Sequence, residues 1–174
     1  MTRFVILTAL AVTLAGCMPD LRSEHPPQRT YWLEPATVAD APSVSVRVSL
    51  VPGLDTDRIQ VLEPDMRLNH YAGAFWADNL EPLLSSLLDR SLDREGGQPV
   101  EVVVERFFAV AGAAGAPPTV EVRALIETDS RQCTFEWRTT AASDRLRDIV
   151  AAHQEGVDRL TAAVADAVGA GPCP

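Results

Sequence analysis

Few residues in this sequence are of types that could do chemistry. Cys17 closes the stretch Leu14-Ala15-Gly16-Cys17. Small residues just before a cysteine let a protease reach the backbone, and the thiol can take a diacylglyceryl group. That is the pattern of a lipobox, the site where a signal peptide is cut and the new N-terminus is lipidated. Two further thiols, Cys133 and Cys173, and three histidines, His25, His70 and His153, complete the inventory. There is no CxxC, no His/Cys cluster and no HExxH, so a zinc site has no support. GxSxG, P-loop and GxGxxG motifs are also absent. No catalytic residue, metal ligand or cofactor site is expected.

The residues ahead of Cys17 fit the lipobox. Arg3 supplies one positive charge, and the run from Phe4 to Leu14 is apolar. Such a run has signal-peptide length and is too short for a permanent membrane helix. The alternative is an ordinary N-terminal helix, or a plain signal peptide with an incidental cysteine. The lipobox reading divides the chain into a signal peptide over 1–16, a lipidated Cys17 with a tether over 17–30, and one domain over 31–174. Two or three acyl chains on one cysteine would make attachment effectively permanent, at ~0.8 kcal/mol per buried methylene. Position +2 is Met18 rather than Asp. In enterobacterial-type sorting that favours the outer membrane, with the domain facing the periplasm; inner-membrane retention stays open.

Charge narrows the partners. The chain has 15 Lys+Arg against 24 Asp+Glu, a net charge of -9, and every basic residue is Arg. Loss of Arg3 with the signal makes the remainder about one unit more acidic. An acidic domain argues against nucleic-acid binding, which favours a basic face. Outside the cytoplasm Cys133 and Cys173 can pair or remain two free thiols. Closing a loop of that length stabilises by roughly 3–4 kcal/mol in the chain-entropy model.

The elements that would position these residues read as follows. Residues 18–30 are polar and proline-rich, the composition of an extended tether. Tyr31-Trp32-Leu33 is expected to open the domain as a short strand. Val44, Val46, Val48 and Leu50 alternate with Ser45, Arg47 and Ser49, the period of a half-buried strand that ends at Pro52-Gly53. Arg58–Leu62 is a strand, and Met66 to Tyr71 one more. Residues 76–94 form a helix, regular from near Glu81 because Pro82 fits only a first turn. Its Leu80, Leu83, Leu84 and Leu87 make a core stripe, or else a lipid-contacting face, and Gly96-Gly97 end it. Val100 to Val110, Thr119 to Thr128 and Cys133 to Thr139 form an antiparallel meander. The last helix runs from Asp144 to Val168 with Ser143 as N-cap. His153 lies on its apolar stripe, a core position in one reading and a catalytic one in the other.

Several of these residues occur in the order seen in one family. Tyr31-Trp32-Leu33 is followed by Pro52-Gly53-Leu54-Asp55-Thr56-Asp57-Arg58-Ile59, then Tyr71-Ala72, Trp76-Ala77 and Pro82-Leu83. Together with the lipobox they resemble the ABC-type transport auxiliary lipoproteins, the PqiC/YmbA-like group, over roughly residues 31–168. The resemblance implies an α/β fold: a single domain with a mixed, mostly antiparallel sheet packed by two main helices. It also implies a non-catalytic lipoprotein at the outer membrane that docks the periplasmic MCE-domain protein of a lipid transporter with its ABC and permease components. A homo-oligomer would suit such a conduit. The Pro52–Arg58 loop, with Gly53, Asp55 and Arg58, either docks the partner or only sets strand register. Arg67 and Phe75 are further surface candidates. A lipoprotein that itself carries lipid is the alternative, and an enzyme using His153 or His70 comes last.

Overall fold

The computed structural model describes residues 27–38, 42–113, 115–169 and 173, and only the backbone of 93–96. Cys17, the signal-peptide stretch and the tether as far as Pro26 lie outside the described residues. The elements are β1 (Arg29–Tyr31), β2 (Ser43–Leu50), β3 (Arg58–Leu62), β4 (Leu68–Trp76), α1 (Leu80–Ser91), β5 (Asp93–Val110), β6 (Thr119–Thr128), β7 (Gln132–Thr140) and α2 (Leu146–Val168). They form a mixed α/β domain.

One seven-stranded sheet runs in the order β1-β4-β3-β5-β6-β7, with β2 beside β5. The longest pairings, β5–β6 and β6–β7, are antiparallel. β1–β4, β2–β5 and β3–β5 are parallel. On one edge β5 takes two strands in succession. Val44 to Leu50 lie against Gln98 to Val104, and Val61 and Leu62 against Ala109 and Val110. β2 and β3 therefore run the same way, and the loop between them is a jog along that edge.

The core lies between the sheet and the helices. β6 alternates buried Val120, Val122, Ala124 and Ile126 with half-buried Glu121, Arg123, Leu125 and Glu127, as a strand with one covered face must. α1 buries Leu80, Leu83, Leu84, Leu87 and Leu88 and packs on β2 and β5; α2 packs on β5, β6 and β7. Both helical stripes are thus consumed by one core. The opposite sheet face carries a lattice of charges. Arg106 lies 2.6 Å and Arg138 3.3 Å from Glu121, while Arg123 lies 2.8 Å from Glu105 and 3.2 Å from Glu136. Each exposed pair contributes at most about 1 kcal/mol.

The structure corrects several expected boundaries. The first strand is Arg29–Tyr31, not Tyr31–Leu33, because pairing with Ala74–Trp76 involves those residues. Trp32 is left 71% exposed and Leu33 turns into the core. The folded part accordingly starts before residue 31. β4 extends to Trp76, so α1 starts at Leu80 rather than 76, with Pro82 in its first turn. α1 also ends earlier, at Ser91, and the chain is extended from Asp93. Gly96-Gly97 therefore lie within β5 and do not stop the helix. Gly97 is needed there because a Cβ would stand 2.2 Å from the Val44 nitrogen. α2 begins at Leu146, and Ser143 is not its N-cap; that place falls to Arg145, which makes no side-chain cap bond. The Ser143 hydroxyl instead accepts from the Arg145 N–H at 3.1 Å and donates to the Asp148 carboxylate.

Close approach of α2 to the sheet depends on Gly156. A Cβ there would lie 2.6 Å from Val122 Cγ2 and 3.2 Å from the Trp137 ring. In Gly156→Ala the overpacking outweighs the gain in helix propensity of up to ~1 kcal/mol, for a net loss of about 1–2 kcal/mol. Urea denaturation of the two proteins measures it.

Candidate functional site

The loop between β2 and β3, with the first residue of β3, holds three of the residues expected to matter, Gly53, Asp55 and Arg58. Gly53 has φ 94°, a left-handed backbone that a side chain resists. Its carbonyl accepts from Gln60 Nε2 at 2.7 Å. Leu54 is buried and anchors the loop. Thr56, rather than Asp55 or Asp57, closes the turn, since its hydroxyl accepts from the Arg58 N–H at 3.2 Å. Arg58 stacks, with its guanidinium 4.7 Å from the Phe75 ring centroid. Two loop carbonyls serve the neighbouring elements: Thr56 O accepts from the Leu80 N–H at 3.2 Å and Asp57 O from the Trp76 N–H at 2.6 Å. The loop thus joins the sheet edge to the start of α1, while Gly53, Asp55 and Arg58 stay exposed.

β4 departs from regular pairing opposite this loop. Arg58 pairs with Phe75, yet Gln60 pairs with His70, so Tyr71 to Ala74 bulge out of the ladder. Gly73, at φ 68°, supplies the left-handed residue. Burial, and secondarily the Glu63 carboxylate, push the Tyr71 hydroxyl up to about 12. His70 is exposed, and its N–H donates to the Asn69 side chain at 2.9 Å.

His153 sits where β4, β5 and α2 meet. Its ring centroid lies 5.2 Å from that of Trp76 and 5.0 Å from that of Phe107, and it is fully buried. Nδ1 is 2.9 Å from the Ile149 carbonyl, a contact in which the protonated nitrogen donates. Nε2 is buried without a partner. Burial pulls the imidazole down to about 4, against a smaller opposing effect of the Ile149 carbonyl. The ring is therefore a neutral core side chain.

Cys133 and Cys173 form a disulfide, with Cα atoms 5.4 Å apart and 40 residues between them in sequence. It ties Cys173 to β7. Next to it Arg131 caps the end of α2, donating from Nη2 to the Ala167 carbonyl at 2.7 Å and the Asp166 carbonyl at 2.8 Å. Sequence reasoning saw only a turn at Arg131, because such a cap joins residues 35 and 36 apart. It also missed Met66, a non-glycine residue at φ 67° at the tip of the β3–β4 hairpin. Pro64-Asp65 signalled that turn, but no property of a methionine announces the left-handed backbone.

An open groove of about 690 Å3 lies at the β2 edge. Ser45, Arg47, Glu81, Glu101, Glu127 and Asp129 line it with polar groups. Among the described residues no three His, Cys, Asp or Glu side chains are grouped to hold a metal ion. No helix among them is long and apolar enough to cross a membrane.

No family model and no curated protein matches the chain. Solved structures do. Protein XCC0632 from Xanthomonas campestris, assigned to the family model DUF330, is 20% identical with a TM-score of 0.62; the match covers 76% of this chain and 90% of that one. A second structure, described only as an uncharacterized protein, is 14% identical with a TM-score of 0.63, covering 82% of this chain and 99% of that one. At these identities the likeness is one of fold.

The neutral imidazole of His153 has a consequence for stability. Its folded-state value lies below the ordinary 6.5, so the unfolded chain binds the proton more readily. Stability is complete above pH 6.5 and falls as the pH drops towards 4, by roughly 3 kcal/mol from this group. A His153→Leu variant, compared by thermal denaturation across pH 7 to 4 (about three pH units), is expected to lose that share of the pH dependence.

Proposed function

We propose that this chain is a lipid-anchored, non-catalytic auxiliary component of an MCE/ABC-type lipid transport system. It holds the periplasmic MCE-domain protein at the outer membrane by protein–protein contact. The observation that carries the reading is the use made of its apolar surface. Both helical stripes are spent on one core, and the groove at the β2 edge is open and lined mainly by polar groups, whereas a lipid site is an enclosed, mainly apolar cavity. With the thiols of Cys133 and Cys173 bonded and His153 sealed in the core, contact is the activity best supported. The lipobox at Cys17 and the ordered residues around the Pro52–Arg58 loop supply the membrane and the family resemblance.

Docking would use the exposed side of the Pro52–Arg58 loop, whose buried side is already committed to β4 and α1. Arg58 stacked on Phe75 makes a pre-ordered cationic anchor there, the type of residue that dominates interfaces.

Affinity purification from detergent-solubilised native envelopes, after mild crosslinking and with a C-terminal tag, tests the reading. The MCE-domain protein and its permease are expected among the co-purifying proteins and are expected to be depleted in Arg58→Glu. Their absence, together with stoichiometric lipid extracted from the purified domain, would favour a carrier instead.

A further inference from the structure

Resting on the anchor reading of Cys17 above, the geometry points to one end of the sheet, the β3–β4 hairpin tip with the adjoining β5–β6 loop, as a surface that lies on the bilayer holding the anchor.

Strand directions carry the argument. β1 is parallel to β4, with Thr30 beside Phe75 and Phe75 opposite Arg58. Followed towards its N-terminus, β1 therefore runs the way β3 runs, to the hairpin tip. β3 covers Arg58 to Leu62 in ~14 Å at ~3.4 Å per residue. Arg29 is twelve residues on from Cys17, a length of chain that spans at most ~40 Å. The chain thus enters β1 from the tip side, and the tip lies within the reach of the residues that lead from Cys17.

The tip is dressed for an apolar surface. Met66 is 76% and Leu68 42% exposed, two of the three large apolar side chains that stand out among the described residues. Met66 holds φ 67° in the hairpin turn, where its N–H donates to Glu63 O at 2.9 Å. The two charges beside it, Asp65 and Arg67, pair with each other at 2.6 Å. The Ala111 N–H donates to Leu62 O at 2.9 Å, which brings the β5–β6 loop to the same end. That loop, Ala111 to Pro118, is Ala-Gly-Ala-Ala-Gly-Ala-Pro-Pro, without one charged or hydroxyl side chain. Ala113, Gly115 and Ala116 in it are exposed. The other end differs in kind. There the β6–β7 turn is Asp129-Ser130-Arg131, and Glu101, Glu127 and Asp129 line the acidic side of the groove. At the hairpin tip Asp65 and Arg67 offset one another and Glu63 is half-buried, so anionic lipid repels the tip less than the acidic groove end.

Full-length lipidated protein in vesicles of phosphatidylethanolamine and phosphatidylglycerol tests the orientation. Met66→Cys, Ala113→Cys and Ser130→Cys each add one free thiol for an environment-sensitive fluorophore, and lipids with quenchers on their acyl chains report contact. Labels at 66 and 113 are expected to shift to the blue and lose more than half their emission to the quencher, and the label at 130 to do neither. Flotation with the vesicles is scored separately. Protein that floats with all three labels equally wet overturns this inference alone. Protein that does not float overturns the anchor reading and the inference with it.

Discussion

The long strand β5 is the constraint on which the rest of the structure depends. Its 18 residues exceed what either β2 or β3 can cover, so the two strands share one edge and the chain must jog between them. The jog is the Pro52–Asp57 loop. Since the loop has to turn out and return in the same direction, it takes a left-handed Gly53 and buries Leu54 as a plug. The two carbonyls left over then meet β4 and α1. A segment that first reads as a recognition motif is thus also a structural joint, and only its outward side chains are free for a partner.

The same strand explains the centre of the core. Phe107 enters from β5, Trp76 from the end of β4 and His153 from α2. An imidazole among two aromatic rings keeps its packing but gives up its second hydrogen bond, a cost of about 1–3 kcal/mol for a buried unpaired group. Nδ1 retains a partner within its own helix, which holds the ring to one tautomer. The histidine is part of the packing where three elements cross.

Much of this was legible in the sequence, and the failures share a cause. The alternation at Val44–Leu50, the leucine stripe of α1 and the stripe of α2 place their elements because one face of each is buried. The apolar stripe that carries His153 likewise places it in the core. Boundaries went astray where a distant neighbour decided them. Gly96-Gly97 has the composition of a helix stop, yet Val44 recruits that backbone to the sheet. Ser143 has the side chain of an N-cap but bonds to Asp148. Met66 and Arg131 act through a backbone angle and a remote helix end, and neither leaves a trace in local composition.

The proposed function rests on attachment to a membrane through one residue, Cys17, which lies outside the described residues. Intact-mass analysis of the protein extracted from its own envelopes is the direct measurement. The account predicts a chain beginning at Cys17, heavier than its sequence by a diacylglyceryl group with or without a further acyl chain, and a Cys17→Ala chain without the addition. A chain that keeps residues 1–16, or one cut elsewhere and free of lipid, would contradict it.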